Sequence, residues 1–152
     1  MIALLQRVTR AGITVGGDVI ANIDRGILVL LAVEHDDTPA VADKLLSRIL
    51  TYRIFPDDQD RMNLSLVDTN GGLLIAPQFT LAADTKKGTR PSFTPAASPE
   101  LGEELFNYIV DRASEQHDKV SCGQFGADMK VSLINDGPVT FSLRTSSGQN
   151  KE

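Results

Sequence analysis

The sequence predicts an α+β domain that is mostly β-sheet and carries two helices. Runs rich in Ile, Leu, Val and Thr are separated by Gly, Asn and Pro, which is the pattern of strands and turns. Two other segments repeat apolar residues at helical spacing. The length of 152 residues fits one domain, which we expect to span residues 1–145, followed by a flexible tail over residues 146–152.

Three strands are predicted at the start of the chain. Ile2 to Val15 is a long run of β-forming residues, and Val19 to Ile23 resumes the pattern after Gly16-Gly17. A Gly-Gly pair between such runs predicts a tight hairpin, because both central residues of a primed turn need a positive φ. Ile27 to Val33 is continuously apolar, which indicates a strand buried on both faces.

Each predicted helix begins with a capping residue followed by proline. Thr38-Pro39 starts the first helix, and its apolar residues recur at helical spacing as far as Tyr52. Ser98-Pro99 starts the second helix, which is expected to end near His117.

The remaining segments complete the predicted sheet. Leu73 to Phe79 is a short apolar strand, and Ala82 to Ala97 is a loop punctuated by glycine and proline. Two final strands, Val131 to Ile134 and Val139 to Leu143, are joined by the turn-forming residues 135–138.

The composition argues against several classes of protein. The net charge of −5, from 15 Lys and Arg against 20 Asp and Glu, is unlike that of a general phosphate-backbone binder. Cys122 is the only cysteine, so no intrachain disulfide forms and a reducing compartment is expected. There is no signal-peptide pattern, and the longest apolar run is too short to span a bilayer. We therefore expect a cytoplasmic protein with no membrane partner.

Sequence motifs for cofactor and metal chemistry are absent from the chain. There is no GxGxxG, phosphate-binding loop or HExxH, and two histidines with one cysteine do not build a zinc site of the usual spacing. We therefore predict no cofactor and no metal. His35 and His117 are interpreted as structural or solvated, and Cys122 has no basic neighbour in sequence that would activate its thiol.

Three short segments carry chemically distinctive residues. Lys86, Lys87 and Arg90 form a basic cluster, which is either an ordinary solvated surface or a contact for phosphate. Ala76-Pro77-Gln78-Phe79-Thr80-Leu81 closes a buried strand, and Asn135-Asp136-Gly137-Pro138-Val139-Thr140 connects two strands. Taken alone, the first of these fits a strand with a polar exit and the second fits a plain turn.

Taken together with Lys87-Gly88-Thr89-Arg90-Pro91-Ser92-Phe93 and Gly126-Ala127-Asp128-Met129, these segments resemble the D-aminoacyl-tRNA deacylase family. The marks of that family are a Ser-Gln-Phe-Thr motif and an Asn-X-Gly-Pro-Val-Thr motif. The resemblance also covers Leu5-Gln6-Arg7-Val8 and Met62-Asn63-Leu64-Ser65, and it extends over nearly all of residues 1–144. Several motifs in the right order make it specific.

The resemblance implies a compact, β-rich, barrel-like fold with residues 1–145 as a single catalytic domain. It implies a homodimer and hydrolysis of the ester between a D-amino acid and tRNA. L-aminoacyl-tRNA is expected to be spared, and glycyl-tRNA is left open as a further substrate. The implied partners are D-aminoacyl-tRNA and a second copy of the chain, whereas DNA is not expected.

The resemblance also implies roles for individual residues. Gln78-Phe79-Thr80 matches the catalytic motif. Gly137-Pro138 matches a cis peptide that reaches into the active site of the partner subunit, and Arg7 matches a residue that holds this loop. Phe125 and Met129 fall where the family binds the terminal adenosine. We assign the basic cluster to binding of the tRNA.

One position departs from the family pattern, because Pro77 stands where the family usually has Ser. Proline lacks a backbone donor and removes the hydroxyl, and a proline inside a strand indicates an edge or a bulge. A related animal branch also has proline there but changes the next-but-one residue as well, whereas this chain retains Phe79.

The residues favour a mechanism that uses backbone groups. Thr80 is the tempting nucleophile, but a threonine hydroxyl needs an adjacent base, and the motif offers only Gln78, which does not take a proton. The amides of Phe79 and Thr80 are better candidates, since they are placed to face a developing oxyanion. The substrate itself brings a ribose hydroxyl beside the ester that helps to orient or activate water.

Two other functions remain open from the residues. A non-enzymatic nucleic-acid module would explain the basic cluster but not the Gln-Phe-Thr and Gly-Pro segments, and phosphate-only binding would fall steeply with salt. A structural or regulatory small dimer would have no active site, and incubation with charged tRNA separates it from an enzyme.

Overall fold

The first strand organises the sheet in the computed structural model, which describes residues 1–148. In chain order the elements are β1 (Ile2–Val15), β2 (Asp18–Ile23), β3 (Gly26–Ala32), α1 (Pro39–Thr51), β4 (Phe55–Pro56), β5 (Met62–Leu64), α2 (Leu66–Thr69), β6 (Gly72–Pro77), a 3₁₀ turn (Phe79–Ala82), α3 (Pro99–Gln116), β7 (Val120–Cys122) and β8 (Met129–Arg144). Within the tail predicted over residues 146–152, residues 149–152 lie outside the described residues.

Strand β1 has partners on both sides along its length. It pairs antiparallel with β3 through its first half and with β2 through its second half, while β8 pairs antiparallel along the opposite side. Beyond β3 the sheet continues with β6 and β7, each parallel to its neighbour. The order is therefore β2-β1-β3-β6-β7 with β8 joined to β1, and β4 and β5 form a separate small hairpin.

The sheet carries an apolar core on each face. The larger core is covered by α1 and α3 and includes Leu5, Val29, Leu46, Ile75, Leu105 and Phe106. On the other face β2 returns against β6 and β7, so the sheet curls into a barrel-like shape around a smaller core that includes Ile13, Leu28 and Leu74. Strands β3 and β6 are therefore buried on both faces, which explains their continuously apolar sequences. The predicted α+β, β-rich class is confirmed.

The local signals for the hairpin and the two long helices are confirmed. Gly16 and Gly17 both have positive φ, 56° and 85°, between β1 and β2. The side chains of Thr38 and Ser98 each accept from the backbone N–H three residues on, at 3.3 Å in α1 and 3.2 Å in α3. No helix in residues 1–148 combines the length and the apolar character needed to cross a membrane.

Several short elements differ from the prediction, among them the small hairpin of β4 and β5, which was not predicted. Helix α2 was not predicted, although Ser65 and Asp68 form a capping box in which each side chain bonds the other residue's amide. Strand β7 was also missed, because its three residues are ordered by pairing with β6 rather than by a local pattern. The strand predicted to reach Phe79 ends at Pro77, and Phe79 begins the 3₁₀ turn.

The last two predicted strands are one continuous strand, β8, and residues 135–138 do not form a tight turn between them. Strand β1 pairs with β8 on both sides of these residues and so holds the two halves in line. Because Gln6 pairs with Thr140 and Val8 with Asn135, the four residues 136–139 lie opposite Arg7 alone. They therefore project from β8 as a bulge of four residues, which we call the Gly-Pro loop.

Candidate functional site

A cavity of about 520 Å³ lies at the carboxyl ends of β3 and β6. Its mostly apolar walls come from these strand ends, the first turns of α3 and the segment that leads into β8. The lining includes Gln78, Phe79, Gly102, Phe106, Phe125 and Met129. Four residues that the resemblance assigned to the site thus surround one space, whose volume suits a small ligand.

The chain turns sharply at the mouth of this cavity. The Gln78 N–H donates to Leu31 O at 2.7 Å, which ties the end of β6 to β3. The 3₁₀ turn then begins at Phe79, and its first amides, those of Phe79 and Thr80, have no partner within the turn. The Gln78 side chain does not cap them. These two donors are therefore unpaired within the turn; Phe79 lines the cavity, whereas Thr80, the next residue, does not.

The Thr80 hydroxyl lacks the neighbour that a nucleophile requires. Its Oγ lies 2.5 Å from Gln78 Nε2, which donates to it. An amide is not a base at neutral pH, whichever of its two ends faces the hydroxyl. The contact therefore orients the Thr80 side chain and does not withdraw its proton.

Pro77 occupies a position where a proline is tolerated. Alternate amides of a strand point to opposite sides, and since the Gln78 amide points to β3, the nitrogen of Pro77 points to the β7 side. Pairing between β6 and β7 stops at Ile75, so no strand is left to accept from the missing N–H. Proline therefore replaces the usual family serine at a strand end without breaking the sheet.

Two glycines make room for the aromatic and sulfur side chains of the cavity. A Cβ on Gly102 would lie 3.2 Å from Phe125 Cζ, and one on Gly123 would lie 2.8 Å from Met129 Sδ. The Phe125 ring also packs beside Phe106, with ring centroids 6.3 Å apart. Neither glycine was singled out from the sequence, although Gly102 interrupts the apolar pattern of a predicted helix and so carried a signal.

The Gly-Pro loop lies outside the cavity of its own chain. Gly137 and Pro138 are exposed and joined by a cis peptide bond, as the resemblance implied, and neither lines the cavity. Arg7, whose side chain is 12% exposed, donates from Nε to Asp136 O at 3.0 Å and from its terminal nitrogen to Ile54 O at 2.8 Å. The loop is thus anchored at its base while its tip faces outward.

The basic cluster lies on a loop beside the cavity mouth. Asp84 and Ser92 exchange two backbone hydrogen bonds, of 2.7 and 3.0 Å, which close residues 85–91 into what we call the basic loop. Its cations, Lys86, Lys87 and Arg90, are exposed. Just after it, Phe93 packs against Phe79 with ring centroids 5.2 Å apart. Phe93 was not picked out as a site residue from the sequence.

The histidines and the cysteine lie in settings that differ from a catalytic centre. His35 is exposed and contacts Asp36, while His117 is buried with Nε2 2.6 Å from Gly71 O. Burial raises the pKa of the Cys122 thiol, with a smaller effect from Asp111, and so disfavours the reactive thiolate. Across residues 1–148, no three His, Cys, Asp or Glu side chains are grouped so as to hold a metal ion.

Proteins of known sequence resemble this chain over nearly all of its length. The family model described as D-Tyr-tRNA(Tyr) deacylase matches residues 4–144. A D-aminoacyl-tRNA deacylase of Pseudomonas fluorescens (strain Pf0-1) is 60% identical over 145 residues, which cover 95% of this chain and 100% of that protein. A D-aminoacyl-tRNA deacylase of Janthinobacterium sp. (strain Marseille) is 58% identical over 144 residues, covering 95% of this chain and 97% of that protein.

Solved structures share the fold. The c-Myc DNA Unwinding Element Binding Protein matches with a TM-score of 0.92 and 37% identity, covering 97% of this chain and 100% of that one. A structure titled as that of a probable eukaryotic D-amino acid tRNA deacylase has a TM-score of 0.78 and 18% identity, covering 93% of this chain and 98% of that one. At 18% identity the second likeness supports the fold alone.

Proposed function

This chain belongs to the D-aminoacyl-tRNA deacylase family, and we propose from this premise that its cavity holds the end of a D-aminoacyl-tRNA while the ester at the cavity mouth is hydrolysed. It is thus an ester hydrolase that acts in tRNA editing. The observation that carries the proposed site is the turn at Gln78-Phe79-Thr80: Gln78 and Phe79 line an apolar cavity, and the amides of Phe79 and Thr80 have no partner within the turn.

The proposed reaction is the attack of water on the ester carbonyl. A bond forms between the water oxygen and the carbonyl carbon, and the amides of Phe79 and Thr80 donate to the oxyanion that develops. The carbon–oxygen bond to the ribose then breaks, and the departing oxygen takes up the proton that the water has lost. The products are the free amino acid and a tRNA with a free terminal hydroxyl.

The substrate's own ribose supplies a hydroxyl beside the ester, which orients or activates the water. Gln78 and Thr80 then have a positioning role, since their side chains bond each other at 2.5 Å and fix the turn. Positioning of the reactants contributes a large part of the rate in such a site.

The terminal adenosine is proposed to occupy the cavity. Phe125 and Met129 line it and present an aromatic face and a polarisable sulfur to a purine. With the base bound there, the ribose and its ester lie at the mouth, next to Phe79 and Thr80. The basic loop lies beside the mouth and is proposed to contact the tRNA phosphates.

We propose that two copies of the chain form the working enzyme. The Gly-Pro loop is exposed, is anchored by Arg7 and does not reach its own cavity. Ile134 on the same strand exposes 47% of its surface, which adds an apolar contact for a second copy to cover. Light scattering should give a dimer at micromolar concentration, and a fully active monomer would contradict this arrangement.

In this dimer the Gly-Pro loop of one subunit provides the chiral filter for the other. D and L esters carry the same groups, so rejection by a clash separates them better than attraction does. Main-chain atoms suit this task because they do not move aside as a side chain does, and glycine permits their close approach. Glycine has no side chain to reject, so the same filter admits glycyl-tRNA.

The decisive experiment compares one tRNA charged with D-tyrosine and with L-tyrosine. We expect the D ester to be hydrolysed at least a thousandfold faster, which corresponds to about 4 kcal/mol in the barrier. Glycyl-tRNA should be cleaved as well. Similar rates for the D and L esters would contradict the proposed function. Because tRNA is the substrate, we place the enzyme in the cytoplasm.

Binding to DNA is a second candidate, because a protein named c-Myc DNA Unwinding Element Binding Protein is 37% identical to this chain. The net charge of −5 and a single three-cation loop offer few phosphate contacts, so we expect only weak, salt-sensitive binding. A DNA duplex titrated at moderate salt separates the two candidates, since tight binding there would favour the second.

A further inference from the structure

Two phenyl rings stand exposed beside the cavity mouth. Phe79 is 59% exposed and Phe93 is 42% exposed, and their ring centroids are 5.2 Å apart. In residues 1–148 no other aromatic side chain is among the exposed large apolar ones. We call this pair the aromatic platform. Adjacent exposed rings form an apolar patch, and an exposed apolar patch is a candidate binding surface.

The platform is held in place by backbone hydrogen bonds. Phe79 is fixed by the 3₁₀ turn, and the Ala96 N–H donates to Phe93 O at 3.0 Å. Two further bonds, His35 N–H to Pro95 O at 3.2 Å and Ala97 N–H to Val33 O at 3.0 Å, tie the following segment to the end of β3. The backbone that carries the Phe93 ring is therefore fixed by hydrogen bonds.

The charge beside the platform is positive, in contrast to the rest of the molecule. Residues 84–93 contain three cations and one carboxylate, Asp84, and so carry a net charge of +2, whereas the whole chain carries −5. The double hydrogen bond between Asp84 and Ser92 closes the loop that carries these cations immediately before Phe93. The loop that carries the cations therefore closes next to the aromatic platform.

We propose that the aromatic platform and the basic loop bind the unpaired nucleotides that precede the terminal adenosine of the tRNA. This proposal rests on the proposed function, because it requires the adenosine to occupy the cavity. The strand that leaves the adenosine must pass the cavity mouth, where Phe79 lies. Bases stack on the rings, and the cations of the basic loop neutralise the phosphates between them.

This occupant fits the chemistry of the surface. Single-stranded nucleic acid alternates planar bases with phosphates, and proteins that bind it combine aromatic stacking with cations along a groove. Stacking does not depend on base identity, so the platform contributes affinity and holds the acceptor end in register. Phe93 is therefore a positioning residue for the ester, although it does not touch the reacting atoms.

The test uses three D-tyrosyl esters of increasing length: that of adenosine, that of the trinucleotide CCA and that of the whole tRNA. Phe93→Ala should raise KM on the order of tenfold for the trinucleotide and the tRNA, because stacking of a base is lost. It should leave hydrolysis of the adenosine ester unchanged, because that substrate has no further base. Phe93→Tyr should behave as the unmodified protein.

A matched control is Val67→Ala, which truncates an apolar side chain of 51% exposure on α2 and should alter none of the three reactions. Equal loss on all three substrates with Phe93→Ala, or no loss on the two longer ones, would overturn the proposal. So would a shift of Phe93→Ala from dimer to monomer, since a second copy would then cover the platform.

Failure of the proposed function gives a different result. If the unmodified protein hydrolyses none of the three esters, the proposed function fails, and the platform is then tested by binding of the uncharged trinucleotide CCA. Weaker binding of this trinucleotide to Phe93→Ala than to the unmodified protein supports the platform, whereas equal binding overturns it.

Discussion

The anchor of the Gly-Pro loop provides the sharpest test of the proposed architecture, through the substitution Arg7→Lys. Arg7 donates from two different nitrogens to two carbonyls, Asp136 O and Ile54 O, and its side chain is only 12% exposed. A lysine has a single ammonium on a flexible stem and does not reproduce this fork. We therefore expect it to keep one of the two contacts at most.

The magnitude follows from the number and kind of bonds lost. A hydrogen bond from a charged donor contributes about 1.5–3 kcal/mol, so Arg7→Lys should lower the free energy of unfolding by about that amount. For a chain of this length the melting temperature should fall by roughly 3–12 °C. The Gly-Pro loop should also lose its fixed position, and the ratio of D to L hydrolysis should fall at least tenfold.

The assay combines chemical unfolding with deacylation of tyrosyl-tRNA charged with either enantiomer. Asp136→Asn is the matched control, because it removes the ion pair at 3.5 Å but leaves the carbonyl that accepts from Arg7. Asp136 is 42% exposed, so its loss should cost about 0–1 kcal/mol and leave the D-to-L ratio intact. An unchanged ratio in Arg7→Lys, or an equal effect of Asp136→Asn, would refute the reasoning.

Three further predictions concern the cavity and its surroundings. Thr80→Ala should keep measurable activity, and a folded but inactive variant would show that the hydroxyl takes part. Phe79→Pro removes the backbone N–H, so its kcat should be about 100- to 1,000-fold lower than that of the control Phe79→Ala, which keeps the N–H. Gly102→Ala should raise KM, because its Cβ would lie 3.2 Å from Phe125 Cζ and the ring must move, and this displacement should offset most of the roughly 1 kcal/mol that alanine gains over glycine in a helix; melting and steady-state kinetics check both, and an unchanged KM would contradict the adenosine site. Replacing the three cations of the basic loop with glutamine should weaken binding of D- and L-charged tRNA alike and make the log–log salt dependence shallower by about 2–3, while an unchanged slope would leave the loop an ordinary solvated surface.

Local sequence signals were sufficient for much of the fold. The strand Ile2–Val15 has the bounds that its composition predicted, and the caps Thr38 and Ser98 begin the helices where expected. These signals act within about four residues, so they are readable without a partner. The capping box of Ser65 and Asp68 was equally local and was overlooked.

Other features depended on segments that are distant in sequence. Strand β7 exists because β6 presents an edge to it, and β8 runs through its turn-forming residues because β1 pairs on both sides of them. Turn residues permit a reversal of the chain but do not require one, and pairing along a long neighbouring strand outweighs them here. The sequence prediction was therefore wrong where pairing between distant segments decided the outcome.

By itself, the sequence determined the fold class and, through its motifs, the family and the candidate residues of the site. Only the tertiary structure decided how these residues are distributed: Gln78, Phe79, Phe125 and Met129 surround one cavity, whereas the Gly-Pro loop is exposed and does not line it. The role of Gly102 is visible only in the tertiary structure, because the space beside this glycine is filled by the ring of Phe125, which lies 23 positions further along the chain. Local patterns specify which element a residue joins, while the packing of those elements specifies which residues meet, since contacts between distant segments leave no periodicity in the sequence.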